Sequence, residues 1–338
     1  MIGFDMMTAI QRNSNKSFFL AISATLILGA CNKDGKVSDE QHLERAKAFQ
    51  SQGNVQSEVI ELKNLLQEKP NHPEGNLLLG EAYAELGYGK DAEKTLLRAQ
   101  EFGISREKFI VPLGKSLLDQ KEYKRVLSEI KPVIATPPKD VAAITALHAQ
   151  AELGLKQFEK GCESFRNAKQ ADPTYVPAYW GIAQCSLGFG KPIEAEEELD
   201  AALKVDPKNA GTWLVRGDLW RGKQQNAEAE KAYSSGLSLR PNHIDLLLAR
   251  ASVRVPLGNH PGALEDIAKA DQQVKDHPLA LHLRGVMLSK EKKYAEAKTA
   301  FETVLKTNPQ YLPTILWLGI TDYALNNLEQ AKIGRAHV

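Results

Sequence analysis

The sequence predicts an all-α solenoid of stacked helix–turn–helix units, and three observations carry that prediction. Residues recur with a period of 34. Within each period three fixed offsets hold small residues, and a proline closes most periods. Within the period, large and small residues recur at helical spacing and mark one face of each of two helices.

The unit is clearest from Ala210 to His243. Trp213, Gly217, Trp220, Ala229, Tyr233, Gly236 and Pro241 stand at offsets 4, 8, 11, 20, 24, 27 and 32. Trp213, Gly217 and Trp220 mark one face of a first helix, and Ala229, Tyr233 and Gly236 one face of a second. Small residues let the helix backbones approach closely, and Pro241 stops the second helix because it lacks an N–H and clashes with the preceding turn. The same offsets recur along the chain. Offset 8 gives Ala149, Ala183, Gly217, Ala251, Gly285 and Gly319; offset 20 gives Gly161, Ala195, Ala229, Ala263, Ala297 and Ala331. Prolines recur at 173, 207, 241 and 309, with Lys275 in the intervening place and His277-Pro278 just beyond it. Leu79, Gly80, Tyr83, Ala92 and Ala99 define an earlier unit, and Ala46, Phe49, Leu62 and Pro70 a looser one before it. The stretch 107–141 is degenerate: it keeps Leu113 and Gly114 but places Val126 and Val133 at small-residue offsets.

These offsets resemble the tetratricopeptide repeat. The resemblance implies a right-handed superhelix of about eight repeats and part of a ninth over 41–331. One repeat cannot bury its own apolar face, and stacking buries a continuous one. It also implies a concave face lined by first helices at offsets 2, 5, 9 and 12. Those offsets place Trp180, Gln184, Leu214, Asp218, Arg221, Asp245, Ser252, His282 and Ser289 as candidate partner contacts. Trp180 is the one large aromatic anchor among them, with packing on the next repeat as its alternative. Arg216, Arg250 and Arg284 share offset 7 in three consecutive repeats. They read either as a basic ladder for a carboxylate-bearing peptide or acidic glycan, or as arginines paired internally with neighbouring Glu and Asp.

The composition is that of an ordinary globular chain. Of 338 residues, 43% are hydrophobic and 25% charged, and 43 basic against 42 acidic residues leave a net charge of +1. That balance lacks the basic footprint of a nucleic-acid binder. Three cysteines do not make a disulfide scaffold. Cys162 and Cys185 lie on neighbouring repeats; two buried free thiols are the expectation, and a disulfide the alternative.

Arg12 and Lys16 precede an 11-residue apolar run, Phe18 to Leu28, too short to span a membrane comfortably and the right length for a signal-peptide core. It ends Leu28-Gly29-Ala30-Cys31, which resembles the lipobox of bacterial lipoproteins. The resemblance implies cleavage after residue 30 and lipidation of Cys31; ordinary secretory cleavage or an uncleaved anchor are the alternatives. Met6 or Met7 gives the more usual start. Asn32 in place of aspartate implies an outer-membrane destination on the periplasmic side, and residues 31–40 read as a lipidated tether.

At the other end, residues 332–338 break the repeat. Back-translated, they match the start of a common sequencing-library adapter, so they are expected to be an artefact that interrupts a longer protein; a natural frayed end is the alternative.

Gly87-Tyr88-Gly89-Lys90 and Gly188-Phe189-Gly190-Lys191 mimic phosphate loops but lack the required spacing and preceding strand. The eight histidines form no H-x-x-x-H pair, and no nucleophile elbow is present. No metal, no cofactor and no catalysis are therefore expected.

The segment Val59 to Gln67 further resembles the I-E-L-K-N-A-L-Q segment of the TPR-repeat lipoproteins of PEP-CTERM/exosortase systems, with Leu65 where that family has alanine. Leu86-Gly87 and the run Asp91 to Ala99 are also similar to that family. The resemblance implies a scaffold in a Gram-negative envelope, linked to exopolysaccharide production and sorting of exported proteins, with envelope proteins or extended peptides as partners. Two alternatives stand beside it: a pilus or outer-membrane-protein assembly lipoprotein, and the repeat region of an envelope enzyme.

Overall fold

A computed structural model describes residues 37–133 and 136–327. The signal segment, Cys31 and residues 332–338 lie outside the described residues. The described helices all belong to the second of the chain's two compact units, Asp39–Val338.

Eight helix pairs follow one another: α1 (Asp39–Ser51) with α2 (Val55–Glu68), α3 (Pro73–Glu85) with α4 (Gly89–Glu101), α5 (Ile110–Asp119) with α6 (Tyr123–Glu129), α7 (Pro138–Gly154) with α8 (Phe158–Ala171), α9 (Val176–Gly188) with α10 (Pro192–Val205), α11 (Ala210–Gly222) with α12 (Asn226–Leu239), α13 (Ile244–Arg254) with α14 (His260–Asp271), and α15 (Pro278–Lys290) with α16 (Tyr294–Thr307). α17 (Leu312–Ala324) is the first helix of a ninth unit. No strand occurs among the described residues.

The turn inside each unit follows one rule. Gly53, Gly87, Lys121, Lys156, Gly190, Gln224, Gly258, Lys292 and Asn326 all have positive φ, between 60° and 78°. Each stands fifteenth in its repeat, where the first helix ends and the chain reverses. A left-handed residue there frees the next N–H to bond back to the helix, as Tyr88 N does to Tyr83 O at 2.9 Å and Gln225 N to Trp220 O at 2.9 Å. Glycine suits this conformation because it has no Cβ, yet five of the nine units use a larger residue.

Second helices start on proline in α10 and on an asparagine cap in α2 and α14, where Asn54 accepts from Ser57 N at 3.2 Å and Asn259 from Gly262 N at 3.1 Å. Where glycine stands at offset 8, as at Gly80, Gly114, Gly217 and Gly285, it receives the large residue at offset 24. A Cβ on Gly217 would stand 2.2 Å from the Tyr233 ring, and one on Gly285 2.5 Å from the Phe301 ring. Tyr233 and Phe301 are fully buried. First helices also touch the next first helix, α7 with α9, α9 with α11, α11 with α13, α13 with α15 and α15 with α17, so they form a continuous layer.

The degenerate stretch keeps its helix pair with two changes. Lys121 and Lys156 hold the same turn position but lie 35 residues apart, one more than the period. α6 stops after 7 residues, and Ile130 turns into extended backbone. Val126 remains fully buried at offset 20, but Val133 is half exposed because the helix that would carry it to an interhelical contact has ended. Ile130 takes up the core position instead, and His148 Nε2 meets its carbonyl at 2.6 Å. A cavity of about 460 Å³ opens beside this stretch, walled by Arg106, Ile110, Glu129, Pro132 and Ile144 among others.

The expectation of two free thiols is overturned. Cys162 on α8 and Cys185 on α9 form a disulfide, with Cα atoms 5.8 Å apart. Consecutive helices of neighbouring repeats bring the residues within bonding distance, which a reading of each cysteine as a separate buried residue misses.

Candidate partner-binding surface

The layer of first helices is the candidate surface. Gln184, Asp218, Arg221 and Asp245 are exposed on it. Asp218 holds Arg221 at 2.9 Å and accepts the hydroxyl of buried Tyr233 at 2.9 Å, so the repeat's core ring orients a surface carboxylate. Burial and Asp218 together push the Tyr233 hydroxyl well above its ordinary pKa, so it stays a donor. Leu214 is half buried and packs into the core, and Ser252 donates to its own helix at Ala249 O, 2.6 Å away.

Trp180 is claimed by packing. Its indole N–H donates to Thr212 Oγ1 at 3.0 Å, and its ring lies where a Cβ on Gly211 would stand, 2.5 Å away. It joins repeat five to repeat six and offers a partner only its remaining edge.

His282 and Ser289 need correction as partner contacts. His282 is 7% exposed, contacts Thr314 Oγ1 at 2.8 Å, and is enclosed by the Phe301 and Tyr311 rings. Burial pushes its imidazole down to about 4. Ser289 is buried 3.5 Å from Thr321. Both lie under α17, because each first helix covers part of the one before it.

Of the two readings of the arginines, internal pairing is the one the structure shows, and the basic ladder is not formed. Arg250 donates two hydrogen bonds to the Asp266 carboxylate and reaches Ser234 Oγ at 3.1 Å. Arg216 pairs with Asp200 and lies over the Trp213 ring, 5.5 Å from its centre. Arg284 pairs with Asp271. Three arginines at one offset thus meet three different partners between helices, rather than projecting as a row.

Sequence reasoning missed Arg254, which joins Glu230 at 2.7 Å and Asp266 at 2.8 Å, and the buried Glu58. Glu58 stands at offset 20, where every other unit but the degenerate one, with Val126, has alanine or glycine; that breach of the small-residue rule was the available signal. Among the described residues no three His, Cys, Asp or Glu side chains converge to hold a metal ion, and no helix is long and apolar enough to cross a membrane.

Comparison with known proteins matches the tetratricopeptide repeat family over residues 186–244 and again over 279–311. Among curated proteins, the chain is 28% identical over 137 residues to the CTR9 homolog of Arabidopsis thaliana, covering 40% of this chain and 12% of that protein. It is 24% identical over 195 residues to anaphase-promoting complex subunit 7 of Arabidopsis thaliana, covering 57% of this chain and 34% of that protein. The chain therefore spans well under two thirds of these relatives. Among solved structures, PilW, a type IV pilus biogenesis factor, is similar with a TM-score of 0.50 at 17% identity, covering 58% of this chain and 91% of that one. A tetratricopeptide repeat protein from Parabacteroides merdae gives 0.47 at 17% identity, covering 84% and 98%. The pilF structure of Pseudomonas aeruginosa gives 0.49 at 18%, covering 58% and 90%. The repeat read from spacing, the helix pairs that realise it and the family matches over two of its stretches converge: the chain is an all-α tetratricopeptide-repeat solenoid.

Proposed function

We propose that this solenoid is a non-catalytic scaffold of a bacterial envelope, anchored through lipid on Cys31 to the outer membrane and facing the periplasm. Its groove holds an extended peptide or helix of an envelope partner, in exopolysaccharide production and sorting of PEP-CTERM proteins. The observation that carries the scaffold reading is the continuous layer of first helices, which presents side chains of many repeats to one long ligand. The Cys162–Cys185 disulfide supports the compartment, since disulfides persist where the surroundings are oxidising. The apolar segment ending in Leu28-Gly29-Ala30-Cys31 supports the anchor.

The test is made in cells. Radiolabelled palmitate should enter the wild-type protein and not Cys31→Ser, and the variant should leave the outer-membrane fraction. A photo-crosslinking amino acid at position 184 should then capture a polysaccharide-export or sorted envelope protein. Capture of pilus or membrane-protein assembly subunits instead would move the role to those pathways. A catalytic motif encoded downstream in the same gene would make the repeats the capture arm of an enzyme.

A further inference from the structure

The turns inside repeats three to six are tied side by side. Tyr123, which opens α6, lies against Gly154 at the end of α7: a Cβ there would stand 2.5 Å from its ring. Repeats four and five are joined by the disulfide, with Cys162 one turn into α8 and Cys185 near the end of α9. Repeats five and six are joined by the pair of Glu196 on α10 and Lys223 at the end of α11.

The disulfide sets the register of what lies outward of it. α8 runs away from this edge and α9 runs back towards it. Phe158 stands four residues before Cys162 and Phe189 four after Cys185, so each ring lies about 6 Å, one helical turn, outward of a bonded sulfur. Phe158 is 54% exposed and Phe189 49%, and Ile193, four residues further along, is 73% exposed. A Cβ on Gly188 or on Gly190 would meet nothing within 4 Å, so the tip Gly188-Phe189-Gly190-Lys191 stands clear of the fold on both sides of its ring. Lys121, Lys124 and Lys156 are exposed beside these side chains and form no ion pair among the described residues. Lys160 and Lys191 are exposed too, each held by one carboxylate, Glu152 and Glu194. Over the turn stretches 121–124, 156–160 and 189–194, five lysines meet three acids, Glu122, Glu159 and Glu194, which leaves the edge basic.

We infer that the turn edge of repeats three to five docks on an anionic lipid bilayer, with Phe158, Phe189 and Ile193 entering the headgroup layer and the lysines beside them meeting lipid phosphates. The apolar side chains stand on reversals of the chain rather than in a groove. A fluid headgroup layer takes in separate projecting points, which a rigid protein face does only where it carries a matching hollow for each. Apolar side chains flanked by lysines are the composition of a segment that lies at a charged lipid interface. Lysines without internal partners keep their full charge for the phosphates, and the long apolar stem lets each ammonium reach them while its Cα stays outside. The disulfide holds the two phenylalanine turns together, so both rings enter at once without a further loss of chain freedom. The inference rests neither on lipidation of Cys31 nor on the groove for an extended ligand.

The test uses the full chain carrying Cys31→Ser, so that no acyl group contributes. The environment-sensitive dye NBD is attached through I193C or, as a reference, through L264C on α14, an exposed position away from the turns. Vesicles of phosphatidylcholine and phosphatidylglycerol should raise and blue-shift the emission at 193, pure phosphatidylcholine vesicles should do so far less, and 264 should respond to neither. K121Q/K124Q/K156Q should raise the lipid concentration needed by about fivefold for each lysine at low salt, and high salt should erase that difference. F158S/F189S, with the dye still at 193, should lower binding by about tenfold or more while helicity is unchanged. No response at 193, an equal response at 264, or full binding by K121Q/K124Q/K156Q would overturn the inference. So would a concentration-dependent dimer that F158S/F189S turns into a monomer, which would give this edge to a second copy of the chain. Failure of palmitate labelling or of crosslinking in cells leaves this assay untouched, so the two readings fail separately.

Discussion

Arg250 and Asp266 form a two-point ion pair between α13 and α14, Nε to Oδ2 at 2.9 Å and Nη2 to Oδ1 at 2.6 Å, and the carboxylate has no exposed surface. Arg254 adds a third bond from the next turn of α13, 2.8 Å to Oδ2. Removing the acid leaves the largely buried Arg250 guanidinium with only Ser234 Oγ, and takes from Arg254 one of its two carboxylate partners, Glu230 remaining. Asp266→Ala should cost about 3–5 kcal/mol, read as a lower urea midpoint by circular dichroism. Glu265→Ala, whose pair with Lys269 is exposed, should leave the urea midpoint close to that of the wild type. Equal effects would mean that the pair is not a structural element.

Replacing Arg216, Arg250 and Arg284 together by glutamine should therefore lower stability before it alters any binding. A basic ladder would give the reverse: intact stability and lost affinity for acidic ligands.

Gly217 and Gly222 sit on the same helix and should respond oppositely to alanine. The Cβ on Gly217 meets the Tyr233 ring, a fully buried side chain with no room to retreat, and the cost should be about 1–3 kcal/mol. Around Gly222 nothing lies within 4 Å, so alanine there should be neutral or stabilise by up to about 1 kcal/mol through helix propensity. Thermal midpoints of the two variants decide the matter.

Glu58 makes stability depend on pH with a definite sign. Its folded-state pKa, about 7, lies above the unfolded value of 4.5, so the folded chain binds more protons in that interval. Its contribution is complete below 4.5 and is lost as the pH rises through 7. Glu58→Gln removes that loss. The variant should match the wild type near pH 4.5 and exceed it at pH 8 by about 2–3 kcal/mol. A stability difference that does not grow between those pH values would mean that Glu58 ionises as an ordinary carboxylate.

The turn position offers a stabilising change. Gln224 adopts φ 60° where four sister repeats use glycine. Gln224→Gly should raise stability by about 0.5–1 kcal/mol, because the left-handed conformation no longer carries a Cβ. The same change at Gln225, one residue later, should not.

The fold was legible because packing between helix pairs leaves a mark in the sequence. Gly217 must be small to admit Tyr233, and Gly285 to admit Phe301, so the period shows through the residues that cannot be large. The turn position was less legible. Gly53 and Gly87 announce it, but Lys121, Lys156, Gln224 and Lys292 adopt the same φ without a residue type that signals it. The surface was least legible. Offsets fix which side a residue faces, but not whether the next helix covers it: they put His282 on the partner face, where α17 covers it, and leave Trp180 open between a partner and the next repeat, which takes it. Pairing is likewise invisible along the chain: Arg216, Arg250 and Arg284 share an offset, and their carboxylates lie 16 before, 16 after and 13 before them.

A stack of repeats held only by neighbour contacts comes apart under tension one unit at a time, each giving up its full length of chain. The bond between Cys162 and Cys185 changes that extension curve. The 23 residue steps between the cysteines, roughly 80 Å of extended chain, cannot be paid out while it is intact. Pulled from its ends, the protein should lengthen in near-equal steps apart from one shortfall at repeats four and five, and reductant should restore the missing length. The same closure means that a protease cut between α8 and α9 leaves one covalent molecule, so a nicked array would still transmit force from one end to the other.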